Sequence, residues 1–239
     1  MNEIGVTERG DAALDLGWLS WVKEGKPAIL ITKDPNKLLD ELLFQETAPV
    51  LNGGIPGKFN AIIHTTITGF GGTVLEPNVR EYKDSLWAYK RLVAMYGIDR
   101  VVLRIDPVIP TDSGLRVAKA VLKENEPGGR VRISFIDQYP HTKARLKKAG
   151  VPLPWSTFHA PIELRKIAYE ELGRPEICGE PDFTYTGCVS ELDCRTLKVD
   201  PMKTSGAQRK FCACLVNKKE LLHFKHPCEN GCLYCYWRN

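Results

Sequence analysis

Ala28-Ile29-Leu30-Ile31-Thr32-Lys33-Asp34-Pro35 is the stretch that decides the fold class. Its apolar run has no polar break before Thr32, which suits a strand buried on both faces of a parallel sheet. Lys33-Asp34-Pro35 ends it and a helix is expected over residues 36–45. Upstream, residues 3–9 read as a short strand, and residues 12–23 as an apolar helix stopped by Gly25-Lys26-Pro27. Downstream, strands are expected over 59–66, 100–105 and 131–136, each followed by a helical pattern, over 80–96, 113–124 and 160–172. A Pro-rich connector begins near Leu146, Ile177 starts a further short strand, and residues 221–225 are a candidate last strand. Strand, polar tip and helix recurring at roughly 30 residues are the mark of parallel βα units, hence an α/β partial barrel or open sheet. In such folds chemistry sits at the C-terminal ends of strands. The tips here are polar: Thr7-Glu8-Arg9, Thr32-Lys33, Thr66-Ile67-Thr68, Arg104-Ile105-Asp106 and Asp137-Gln138.

The chain has 239 residues, 43% hydrophobic and 26% charged, enough for one large core or one core with a small appended module. No stretch approaches the roughly 20 apolar residues of a membrane span, and Met1 to Gly5 lack the basic-then-apolar order of a leader. A cytoplasmic protein without membrane partners is expected. A net charge of +4 permits a nucleic-acid partner, but fits a mildly basic enzyme more simply. The basic run Lys143, Arg145, Lys147 and Lys148 reads as a solvated helix face.

All eight cysteines lie at or beyond position 178, a distribution that favours metal binding over a disulfide framework. Cys228, Cys232 and Cys235 form a CxxxCxxC loop with Gly231 and the aromatics Tyr234, Tyr236 and Trp237. Three thiolates can gather round one metal centre and leave a coordination position without a protein ligand. A structural zinc would need a fourth, distant ligand, and cysteines this close are poorly placed to pair as disulfides. Of Cys178, Cys188, Cys194, Cys212 and Cys214, four can form a second, closed site for a 4Fe-4S cluster or a zinc ion.

The CxxxCxxC loop followed by an aromatic resembles the cluster loop of the radical SAM superfamily, most closely its branch with spore photoproduct lyase and the DNA repair photolyase-like proteins. The tips resemble that branch in the same order: Thr7-Glu8-Arg9-Gly10-Asp11, Thr32-Lys33-Asp34-Pro35, Thr66-Ile67-Thr68 with Glu76-Pro77, and the segment from Arg104 to Pro110. The order implies a circularly permuted partial barrel of radical SAM type, whose first strand and cluster loop come from the C-terminal part. Residues 1–172 would then be the βα units, 173–220 an auxiliary metal-binding segment, and 221–239 the displaced strand and loop. The chain is also similar to a conserved family ending in C-x-x-x-C-x-x-C-Y after a QRxxCxC segment, matched by Gln208 to Cys214.

The resemblance implies a 4Fe-4S cluster on Cys228, Cys232 and Cys235, with S-adenosylmethionine bound at it and an electron donor such as flavodoxin or ferredoxin. Lys33 and Thr66 would hold the methionine carboxylate and ribose, Glu8 or Arg9 would meet the amino or carboxylate group, and Tyr234 would contact adenine. Cys178, Cys194, Cys212 and Cys214 would be the second set of ligands, a 4Fe-4S cluster preferred to zinc, with Cys188 the spare. By structure alone, Lys33 could instead cap its helix or pair with Asp34, and Arg104 could pair with Asp106. Tyr139 and His141 are loop residues that could face substrate. A nucleic-acid or nucleotide base is the first substrate expectation, by analogy. A small metabolite or peptide is the second, and a non-catalytic zinc or iron-sulfur module that binds nucleic acid is the rival.

Overall fold

The computed structural model describes residues 3–51, 58–184, 186–202, 211–222 and 228–237. Seven strands make one sheet: β1 (Ile4–Val6), β2 (Ala28–Thr32), β3 (Ala61–Thr66), β4 (Val101–Val108), β5 (Arg130–Phe135), β6 (Glu176–Ile177) and β7 (Lys218–Glu220). All neighbours are parallel, and the order is β6-β5-β4-β3-β2-β1-β7. The sheet curls into half a barrel. The last strand in sequence thus takes the edge beside the first, with Ile4 opposite Lys218 and Val6 opposite Glu220.

Alternation along the strands explains why the apolar runs are continuous. Ala28, Leu30, Ala61, Ile63, Val101, Leu103 and Ile105 turn outward into one core with the helices, among them α2 (Pro35–Leu51), α3 (Tyr82–Tyr96), α4 (Asp112–Lys123) and α6 (Ile162–Glu171). Ile4, Val6, Ile29, Ile31, Ile62 and Val102 turn inward, where Val189, Leu197, Val199 and Leu215 cover them. The cysteine-rich segment therefore shares a core with the strands and fills the hollow of the half-barrel. No helix among the described residues is long and apolar enough to cross a membrane.

Several expected boundaries move. Of the helix expected over 12–23, only α1 (Leu19–Lys23) forms. Asp11 accepts from the Ala13 N–H (2.9 Å) and Asp15 from the Gly17 N–H (2.9 Å), so side chains take the bonds that a helix would have used. Helix α5 (Pro140–Lys148) occupies the stretch running into the expected connector, because Pro140 stands at its first turn, where a missing N–H costs nothing. Helix α7 (Glu191–Leu197) was not expected; a capping box of Ser190 and Asp193 starts it. Strand β7 ends where the last strand was expected to start, and Leu221 and Leu222 enter the outer core. Residues 223–227, and Gln208 to Lys210 of the QRxxCxC segment, lie outside the described residues.

Candidate active site

A cavity of about 480 Å³ opens at the C-terminal ends of the strands. Glu8, Arg9, Lys33, Thr66 and Tyr234 all line it, and so do Cys228, Cys232 and Cys235. The cysteine loop is pinned over the strand ends from several sides. Asp11 receives the Lys33 N–H (2.8 Å) and the Thr32 hydroxyl (2.6 Å) from the tip of β2, and the Asn230 amide (2.9 Å) from the loop. Asn78 donates to the Glu229 carbonyl (2.7 Å), and the Leu233 N–H donates to the Leu75 carbonyl (3.0 Å). Arg145 donates to the carbonyls of Leu233 (3.0 Å) and Cys235. Gly231 has φ 66°, a left-handed turn between Cys228 and Cys232 that glycine adopts without strain.

Lys33 sits at the centre. Its ammonium donates to Tyr234 Oη (2.8 Å), Glu76 Oε1 (3.0 Å) and the Asp106 carbonyl (3.2 Å), while Tyr234 donates to Glu76 and Thr68 Oγ1 donates to Glu76 Oε2 (2.7 Å). Burial works most strongly against its charge, but Glu76, Cys232 and Asp106 together outweigh it and hold the pKa above the ordinary lysine value. Asp34, the nearer acid in sequence, instead caps the Lys37 N–H (3.1 Å) and pairs with Arg80 (3.3 Å). Arg104 and Asp106 do pair, and both line the cavity. Beneath them His64 is fully buried with neither ring nitrogen partnered; burial, then Arg132 and Arg104, hold its pKa well below the usual range, so it is neutral. Glu8 pairs with Lys218 of β7, yet burial still raises its carboxyl. The N–H groups of Glu8 and Arg9 donate to Glu220 Oε2 (3.2 and 3.1 Å). Tyr139 lines the cavity and stacks on Tyr236 (5.5 Å between centroids), whereas His141 is not a lining residue and sits with Nε2 3.2 Å from the Tyr236 carbonyl.

The thiols fall into separate groups. Cys232 is buried, which pushes its thiol up to about 12; Cys228 is exposed, and the partial desolvation of its sulfur raises its thiol as well. Such thiols keep their protons unless a cation displaces them. The second group differs from the expected one. Cys178, Cys188 and Cys214 share a buried cluster against which Cys212 packs, while Cys194 lies with Val189, Leu197 and Val199 under the inner face of the sheet. Cys194 sits inside α7, whose packing aims it at the apolar hollow, so it is Cys188 and not Cys194 that lies with the other three. Cys188 also lines the cavity. Its thiol is held well below its ordinary pKa by hydrogen bonds from Cys178 and Cys214 and then by Arg104 and Arg132. Among the described residues, no three His, Cys, Asp or Glu side chains already enclose a common point as cation ligands.

Sequence reasoning gave no role of their own to Asp11 and Glu76, and it missed Arg145. The first two belong to tip motifs that were quoted only for their likeness, and their carboxylates prove to be the hubs joining loop to strands. Arg145 carried no signal apart from the basic run it belongs to. No curated protein and no solved structure matches the chain. Residues 26–237 match the family described as "Domain of unknown function (DUF1848)", a span running from just before β2 through the cysteine loop, and the chain belongs to that family.

Proposed function

We propose that the chain is a radical S-adenosylmethionine enzyme on a circularly permuted partial barrel, with Cys228, Cys232 and Cys235 each holding one iron of a 4Fe-4S cluster. The observation that carries this reading is the meeting of two sets of residues distant in sequence: the three loop thiols and the strand-tip side chains Glu8, Arg9, Lys33 and Thr66 line one cavity. The position of β7 supports the permutation, because the strand leading to the cysteine loop stands beside β1, at the edge where an unpermuted barrel has its first strand. The donor set also fits, since thiolates are the usual ligands of such clusters and three of them leave one iron open. The chemistry supplied by the bound cluster is one-electron cleavage of S-adenosylmethionine to methionine and a deoxyadenosyl radical, which takes hydrogen from the substrate.

The chain's own part is binding, orientation and exclusion of water. Lys33 turns its ammonium from one of its three present acceptors to the methionine carboxylate, and Thr66 offers a hydroxyl for the ribose. Glu8 or Arg9 meets the remaining charged group of the amino acid. The Tyr234 hydroxyl is engaged by Lys33 and Glu76, which leaves its ring for adenine. Tyr139, Tyr236 and Trp237 give the cavity an aromatic wall that water wets poorly. The cavity is in the size range of small-molecule sites, and two residues of the basic run are already used inside the protein, Arg145 on the loop and Lys143 on the Ser156 carbonyl (3.0 Å). Both points favour a small metabolite or a single base over a length of duplex. The electron donor is of the flavodoxin or ferredoxin class.

The test is anaerobic reconstitution with iron and sulfide, followed by reduction with dithionite in the presence of S-adenosylmethionine. The expected result is about four irons bound at this loop and release of deoxyadenosine, both lost in the Cys228→Ala, Cys232→Ala, Cys235→Ala triple variant. Deoxyadenosine release that survives the triple replacement, or none from a fully loaded wild-type protein, overturns the proposal.

A further inference from the structure

Cys178 directly follows β6, and Cys212 and Cys214 precede β7. These strands are the two free edges of the sheet. The sulfur-bearing segments therefore come from opposite rims of the half-barrel and meet across its open side. Their approach is fixed by backbone as well as by side chains: a Cβ on Gly187 would lie 2.5 Å from the Ala213 carbonyl carbon and oxygen and from the Cys214 nitrogen, so only glycine fits there. The thiols form a chain of neighbours, Cys178 to Cys188 to Cys214 to Cys212, with the Cys178 and Cys188 sulfurs 3.8 Å apart.

That spacing suits a single mononuclear ion. A tetrahedral ion with Zn–S bonds of about 2.3 Å sets its ligand sulfurs about 3.8 Å apart. In a 4Fe-4S cluster each thiolate sits on its own iron, and the sulfurs stand much farther from one another. The surroundings also suit a thiolate-rich ion, whose four ligands and divalent metal leave net negative charge. The Cys188 N–H donates to Cys214 Sγ (3.1 Å), Lys218 Nζ lies 3.9 Å from the same sulfur, and Arg132 donates to the Cys188 carbonyl (3.4 Å). The sulfurs do not yet enclose a common point, so binding requires the side chains to turn toward one centre and lose their thiol protons to solvent.

We propose that Cys178, Cys188, Cys212 and Cys214 bind one zinc ion, separate from the centre at the CxxxCxxC loop, and that this ion clasps the two edges of the half-barrel together. It does not depend on the radical chemistry. The experiment uses the full-length chain carrying Cys228→Ala, Cys232→Ala and Cys235→Ala, expressed with zinc, and measures metal and acid-labile sulfide per chain. About one zinc without sulfide is expected, kept in a further Cys194→Ser variant and lost in Cys188→Ser or Cys214→Ser. Because those two variants could fail to fold, the triple variant, first stripped of zinc with a chelator, is also titrated with cobalt, whose intense thiolate charge-transfer and tetrahedral d–d bands should appear at one equivalent and vanish on adding zinc. Sulfide accompanying iron in place of zinc, absence of the cobalt bands, or loss of zinc on replacing Cys194 overturns the assignment.

Discussion

Lys33 joins parts of the chain that are distant in sequence: the end of β2, Glu76 ahead of α3, the Asp106 carbonyl of β4 and Tyr234 of the cysteine loop. Its presence at a strand tip was legible, because a cation directly after a buried apolar run has only the rim of the sheet to occupy. Its partner was not legible, since Asp34 is adjacent in sequence and only the folded loop brings Glu76 near. Breaking a buried pair leaves the other charge uncompensated. Lys33→Met is therefore expected to lower stability by about 3 kcal/mol, and Glu76→Gln added to it should restore part of the loss. Urea denaturation of the single and double variants checks this; a double variant less stable than Lys33→Met alone would show that Glu76 is stabilised by something other than Lys33. Asp11 illustrates the same point. Its carboxylate accepts from Ala13, Thr32, Lys33 and Asn230, and no local pattern foretells the last of these.

At the level of elements, the inner side of β5 carries two arginines, Arg130 beside Val102 and Arg132 beside Arg104 of β4. Arg130 and Arg132 both engage Glu176 of β6 (2.9 Å from each Nε) and reach Asp193 of α7, whose side chain is fully buried. Burial opposes the charge on Glu176, but Arg132 and Arg130 prevail and hold its carboxyl below the usual range. A depressed native pKa stabilises the fold above the unfolded value of about 4.3, and that contribution is lost as pH falls through the native value. Glu176→Gln should thus cost about 1–3 kcal/mol at pH 7, with the gap to wild type narrowing below about pH 4; an unchanged gap in acid denaturation curves would contradict the ion pairing. Arg145 links α5 to the cysteine loop through two carbonyls. Arg145→Ala should speed amide exchange in residues 228–237 while leaving that of β2 and β3 unchanged, because the contact holds the loop and not the sheet. The capping box that starts α7 was readable as Ser190 followed by Asp193, yet a helix this short leaves too little periodicity to be noticed beside it.

For the whole molecule, the alternation of apolar runs and helical patterns was enough to read the parallel α/β architecture and most strand positions, since burial on both faces leaves little other choice for such runs. The grouping of the cysteines was not, because spacing says nothing about which side of an intervening helix a thiol faces; Cys188 and Cys194 are separated by the turn that starts α7 and point into different compartments. Gly187→Ala tests how tightly those compartments are joined. The added methyl would meet backbone at 2.5 Å, and the expected outcome is a thermal midpoint lowered by several degrees, with the β6 and β7 edges the first to lose protection from exchange. The neighbouring positions of β1 and β7 also set a schedule for biosynthesis. A chain emerging from the ribosome folds from its N-terminal side first, so β1 to β6 can pair before β7 and every loop thiol that lines the cavity has been made. The rim of β1 waits unpaired until β7 arrives, a hazard kept small by a strand of only three residues. Any cofactor bound by the cysteine loop is in consequence loaded onto a nearly finished scaffold, and a prematurely ended chain would have strand tips but no ligands to misplace it on.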